Sequence, residues 1–201
     1  MNNREIYIIY TPGRTGSHII LEALAGENKE VGGLLNAEPY WHTFSRGSFN
    51  LTNNVVIHTH SLDVIKELNL NPASLTLILS RRKDVFTQTM SHLVANITNE
   101  WSGKEYSNKS ITPQIISKNV FLNIAREFNE WPKNISITDY KKVVSIYYED
   151  IIEYGIQHIA KALDIEYIES SIGKIQRKSP YNYKDCILNW EDLYQEFLTH
   201  E

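Results

Sequence analysis

Four short apolar runs punctuate the chain, and each ends in polar residues. Ile6–Tyr10 leads into Thr11-Pro12-Gly13-Arg14-Thr15-Gly16-Ser17-His18. Val55–Ile57 ends at His58-Thr59-His60, Leu75–Leu79 at Ser80-Arg81-Arg82, and Val143–Tyr147 at Tyr148-Glu149-Asp150. Runs this short and this continuously apolar predict strands buried on both faces, the signature of a parallel sheet. Between them, apolar residues recur at helical spacing. Helices are expected over about Ser17–Ala25, after Ser61 with Leu62, Ile65 and Leu68 on one face, and from Asp84 through Val85, Met90, Leu93 and Val94. Further helices are expected over Ile115–Trp131 with Pro132 as the stop, from about Tyr154 to Leu163, and over Ile187–Leu198. The alternation predicts an α/β fold of three layers, with a mostly parallel central sheet flanked by helices and joined by right-handed crossovers. Residues 31–54 and 96–112 break the pattern and are expected as loops beside a site.

The first strand runs straight into a turn suited to gripping an anion. Gly13 and Gly16 let the backbone fold closely, Thr15 and Ser17 offer hydroxyl donors, and Arg14 offers a fixed cationic fork. The helix that follows points its first N–H groups at the same spot. A Walker A loop needs G-x-x-x-x-G-K-[ST]. Here the glycines are three apart, and His18 follows with no lysine in the loop. An ordinary ATPase or GTPase loop is therefore disfavoured. In open parallel sheets, ligands bind outside the carboxyl ends of the strands. The Arg14 turn, the His58/His60 pair, the Arg81/Arg82 pair and Tyr148-Glu149 all fall there.

Composition narrows the picture. A chain of 201 residues is expected to form one domain, spanning 1–201, with a substantial core. The net charge of −4 argues against a dedicated nucleic-acid partner, and sets off the local basic clusters Arg81-Arg82-Lys83 and Arg177-Lys178. A single cysteine, Cys186, excludes an internal disulfide and a cysteine-rich zinc site. No apolar stretch approaches the ~18 residues of a membrane span. The N-terminus lacks a cleavable signal pattern, so a cytoplasmic location is expected.

Taken together and in order, these segments resemble the sulfotransferases that use 3′-phosphoadenosine 5′-phosphosulfate (PAPS), nearest to bacterial carbohydrate-type members. Pro12-Gly13-Arg14-Thr15-Gly16-Ser17 looks like their 5′-phosphosulfate loop. Val56-Ile57-His58-Thr59-His60-Ser61-Leu62 resembles the K-T-H-L segment whose histidine is the catalytic base. Arg81-Arg82-Lys83-Asp84 with Gln88 and Ser91 resembles the 3′-phosphate segment. Ile146-Tyr147-Tyr148-Glu149-Asp150-Ile151 is similar to a Y-E-D segment near the adenine. Arg177-Lys178-Ser179, followed by Asn189-Trp190, resembles a late R-K-G and tryptophan segment that closes over the cofactor. The chain departs from the family in three places: His58 stands where the pattern has lysine, the Arg-to-Ser spacing in the third segment is one residue longer, and Ser179 replaces glycine.

The resemblance implies a P-loop-like fold of the sulfotransferase type and sulfuryl transfer from PAPS to a hydroxyl of a small molecule or glycan, with no metal. The cofactor-binding set is then Gly13, Arg14, Thr15, Gly16, Ser17 and His18 at the phosphosulfate, Arg81 or Arg82 with Ser91, Arg177 and Lys178 at the 3′-phosphate, and Tyr148 at the adenine. The catalytic candidates are Arg14 at the bridging oxygen and, as general base, either His60, since imidazole is the side chain best suited to general-base work near neutral pH, or Glu38, in a loop segment similar to one that carries the base in bacterial members. Tyr40, Trp41, His42, Phe44 and Phe49 suit stacking on a sugar or phenol acceptor. Two rival classes stay open. One is a small-molecule or nucleotide kinase using ATP–Mg²⁺, with Glu149-Asp150 as a Walker-B-like acid pair. The other is a non-catalytic nucleotide-binding relative.

Overall fold

The computed structural model describes residues 6–25, 55–100, 111–165 and 181–200. Among them, β1 (Ile6–Tyr10), β2 (Val55–Thr59), β3 (Leu75–Arg81) and β4 (Lys142–Tyr147) form one sheet in the order β2-β1-β3-β4. Every pairing is parallel, with Ile8 opposite Ile57 on one side and Leu77 on the other, and Arg81 opposite Tyr147. The central strands β1 and β3 are buried on both faces: Ile8, Ile9, Leu77 and Ile78 are inaccessible to solvent. That burial is why their sequence reads as unbroken apolar runs. Helices flank the sheet: α1 (Ser17–Ala25) lies against β1 and β2, and α2 (Asp63–Glu67) follows β2. Beyond these come α3 (Val85–Thr98), α4 (Lys118–Glu130), α5 (Tyr148–Tyr154), α6 (Gln157–Leu163), α7 (Tyr183–Cys186) and α8 (Trp190–Leu198). This is an α/β architecture with an all-parallel sheet, consistent with three layers. Among the described residues no helix is long and apolar enough to cross a membrane.

The chain divides into two compact units, Met1–Lys83 with Ile135–Ile175, and Asp84–Asn134 with Gln176–Glu201. The first holds the sheet with α1, α2, α5 and α6. Its strands run further than their apolar cores suggest. β2 includes His58 and Thr59, paired with Ile9 and Tyr10, and β3 continues through Ser80 to Arg81. The helix expected from about Tyr154 is instead two helices. α5 begins six residues earlier, at Tyr148, directly off β4, with Glu149 and Asp150 in its first turn, where carboxylates favour the helix dipole. It ends at Gly155, whose φ of 75° and ψ of −179° suit glycine alone.

The second unit is helical. Phe86, Met90, Leu93, Val94, Phe121, Cys186, Ile187 and Leu193 form its core. Burial pushes the Cys186 thiol above its ordinary pKa, with Asp185 adding to the effect. α4 starts at Lys118 instead of Ile115, because the preceding segment is drawn out to pair with the stretch between α7 and α8. The Gln114 N–H donates to the Cys186 carbonyl at 2.9 Å, and the Leu188 N–H to the Gln114 carbonyl at 2.9 Å. The Asn189 side chain accepts from Ile116 N–H at 2.9 Å and donates to its carbonyl at 2.8 Å. These bonds also hold residues 187–189 out of the helix expected to start at Ile187. α3 starts as anticipated. Asp84 caps it, accepting from the Thr87 N–H at 2.8 Å and the Thr87 hydroxyl at 2.6 Å. Asp84→Ala is expected to destabilise the protein by about 1 kcal/mol, read as a lowered urea midpoint at unchanged slope.

Candidate active site

The turn after β1 is built on positive backbone angles: φ is 97° at Gly13, 57° at Arg14 and 73° at Gly16. Such a conformation is costly for a residue with a Cβ, so at Arg14 it must be held by its surroundings. A row of hydroxyls supplies the hold. Thr11 Oγ1 accepts from the Gly13 N–H at 3.0 Å and bonds Thr15 Oγ1 at 2.7 Å, and Thr15 Oγ1 bonds Ser80 Oγ at 2.7 Å. All three side chains are buried, tying the turn to the end of β3. On the other side the Thr11 N–H donates to the Thr59 carbonyl of β2 at 3.2 Å. The Thr15 hydroxyl, expected to face a ligand, thus serves the turn itself.

Gly16 is fixed by a second constraint. A Cβ placed there would lie 2.4 Å from Cδ2 of Tyr148, so the ring rests on the bare glycine. The Arg82 guanidinium carbon sits 4.4 Å from the centroid of that same ring. One aromatic ring therefore connects the turn to the second cationic segment. Arg81 is engaged elsewhere: it donates to the Tyr147 hydroxyl at 3.0 Å, with its guanidinium 5.2 Å from that ring's centroid. Register explains the split, since Arg81 pairs with Tyr147 across the β3–β4 ladder while Arg82 lies just beyond it. The acid pair of the Y-E-D segment is also engaged. Glu149 accepts the Lys83 N–H at 2.9 Å, and Asp150 forms an ion pair with the Lys83 ammonium. The ammonium's hydrogen bond to Asp150 raises the Lys83 pKa.

The two histidines of the second segment differ in exposure and in partner. His58 lies within β2, 1% exposed, with Nε2 2.8 Å from Ser17 Oγ at the head of α1. His60 stands exposed just past the strand. Its Nδ1 is 2.9 Å from the Thr11 carbonyl oxygen. A carbonyl can only accept, so Nδ1 carries the proton and Nε2 is the basic nitrogen of the neutral ring. A Cβ built on Gly13 would lie 3.9 Å from His60 Cε1, so the imidazole borders the turn. The rings of His18 and His58 are 5.1 Å apart, and those of His58 and His60 are 5.4 Å apart. Among the described residues, no three His, Cys, Asp or Glu side chains are arranged to hold a metal ion.

The first unit thus brings together Gly13, Arg14, Thr15, Gly16, Ser17, His18, His60, Arg82 and Tyr148, with Arg81 one strand position away. Ser91 belongs to α3 in the second unit, half-buried. Trp190, at the head of α8, has the Lys184 ammonium 4.2 Å from its ring centroid and the Tyr183 ring at 6.0 Å. Glu38, the aromatics from Tyr40 to Phe49 expected to stack on an acceptor, Arg177 and Lys178 lie outside the described residues. The sequence reading missed Ser80 and Thr11 as anchors of the turn. Their one trace was polarity at the ends of otherwise apolar strands. Neither a scan against protein-family models nor a search of the curated proteins finds a match to this chain.

Proposed function

We propose that this protein transfers a sulfuryl group from PAPS to a hydroxyl of a small acceptor, a carbohydrate or metabolite. The observation that carries this reading is the joining, in one unit, of an anion-cradling turn, a base-competent imidazole and a second arginine. His60 borders Gly13, and Arg82 shares the Tyr148 ring with Gly16. Arg14, the amides of the turn and the N-terminus of α1 would receive the phosphosulfate. Arg82 is the better situated of the two arginines for the other anionic end, because it stacks on the Tyr148 ring that rests on Gly16 of the turn. In the reaction, the acceptor oxygen gives its proton to His60 Nε2 and bonds to sulfur. The bond from sulfur to the 5′-phosphate oxygen breaks, leaving a sulfate ester and adenosine 3′,5′-bisphosphate. Charge grows on that departing oxygen, where fixed donors act electrostatically. A sulfuryl group carries less negative charge than a phosphoryl group, so the donors of the turn suffice at that oxygen. Glu149 and Asp150 bind Lys83, which argues against their use as a magnesium-holding pair.

Thermal unfolding with separate additions of adenosine 3′,5′-bisphosphate, PAPS and ATP–Mg²⁺ tests the reading. Stabilisation of about 2.7 kcal/mol is expected when the bisphosphate reaches a hundred times its Kd. ATP–Mg²⁺ is expected to do nothing. The reverse pattern would point to the kinase, and bisphosphate binding without sulfuryl transfer in a parallel assay with hydroxylated acceptors would point to the binding module.

A further inference from the structure

We infer that His58 is a positioning residue that turns the Ser17 hydroxyl outward as a donor to a bound anion. This inference rests on the anion-binding reading of the turn. The Ser17 hydroxyl has one proton, and its oxygen lies 2.8 Å from His58 Nε2. Two polarities are open to this contact. If Nε2 is bare, Ser17 donates to it and has no proton left for a ligand. If Nε2 carries hydrogen, the serine oxygen accepts from it and the O–H is released to donate elsewhere. A sulfate or phosphate oxygen can only accept, so an anion in the turn selects the second polarity. The imidazole cannot reorient to suit solvent, because His58 is 1% exposed and Ser17 is 5% exposed. His58 is fixed within β2, in register with Ile9 of β1, the strand that delivers the turn. The imidazole therefore acts on the ligand through the serine, one bond removed, and the polarity of that bond decides whether the head of α1 offers a side-chain donor or only backbone N–H groups.

The test uses the full chain with ¹⁵N-labelled histidine, titrated with adenosine 3′,5′-bisphosphate. The expected result is a protonated Nε2 resonance for His58 in the bound state. Affinity is followed in parallel for His58→Phe and His58→Gln, each with and without Ser17→Ala. The phenyl ring neither donates to Ser17 nor accepts from it, so the hydroxyl keeps its proton but loses the bond that aims it, and H58F is expected to bind about three- to tenfold more weakly, as for one lost neutral hydrogen bond. Glutamine offers an amide N–H in its place, so H58Q is expected to recover most of that loss. In the S17A background, H58F is expected to cause no further loss, because the two side chains act as one unit. Bisphosphate bound with His58 Nε2 bare, or H58F weakening affinity equally with and without the Ser17 hydroxyl, would overturn the assignment while leaving the anion site intact. Failure of the unaltered chain to bind bisphosphate would remove the site and the inference together.

Discussion

Replacing His60 by glutamine is expected to lower kcat for sulfuryl transfer about 10²- to 10⁴-fold, the range for loss of a general base. Affinity for adenosine 3′,5′-bisphosphate should stay within about twofold, since the proton is removed from the acceptor and not from the cofactor. The structural reason is the bond from His60 Nδ1–H to the Thr11 carbonyl, which fixes the tautomer and holds the ring beside Gly13. Steady-state kinetics with PAPS and a panel of hydroxylated acceptors, paired with calorimetric titration of the bisphosphate, separates the two quantities. Glu38→Gln is the companion variant. Collapse of turnover there, with His60→Gln near normal, would transfer the role of base to the loop carboxylate. If neither variant loses turnover, general-base assistance at this site is wrong.

The second large effect concerns the fold of the turn. Gly16→Ala is expected to destabilise the protein by about 2–4 kcal/mol, combining a strained positive φ with overpacking against Tyr148. The added carbon would meet Cδ2 of that ring at 2.4 Å, a separation that something must relieve by moving. The ring in turn lies under Arg82, so its displacement disturbs the second cationic group as well. Urea denaturation measures the loss, and bisphosphate titration should show weakened binding in the same variant. Tyr148→Ala combined with Gly16→Ala should be more stable than the sum of the two single losses, because the clash disappears and only the backbone strain stays. Strict additivity would mean the ring does not press on the glycine.

The parts of this molecule that were legible beforehand are those decided by near neighbours. Ile6–Tyr10 followed by Gly13 and Gly16 announced a strand, a tight turn and a helix. Asp84 announced the start of α3, because capping is a matter of three residues. The parts that were not legible depend on distant partners. Ile115 and Ile116 carry a helical pattern yet lie outside α4, because Asn189 binds Ile116 and the backbone of Cys186 and Leu188 binds the adjoining Gln114. Tyr148 appeared to be the end of a strand, but its acidic neighbours open a helix that Gly155 closes. Within the site, both histidines were visible as residues but not as different things. One is buried against Ser17 and the other exposed against Thr11, and the sequence spacing of two carries no sign of that difference. Likewise Arg81 and Arg82 were interchangeable until the end of β4 and the start of α5 supplied a separate tyrosine for each.

The position of β1, flanked by β2 on one side and β3 on the other, has a consequence for how such a protein can diversify. The turn that leaves it is held by the Thr11, Thr15 and Ser80 hydroxyls, so a residue gained or lost between Thr11 and Thr15 would break that row. Length is therefore the quantity this turn guards, because a slip of one residue would part Thr15 from Ser80 and detach the turn from β3.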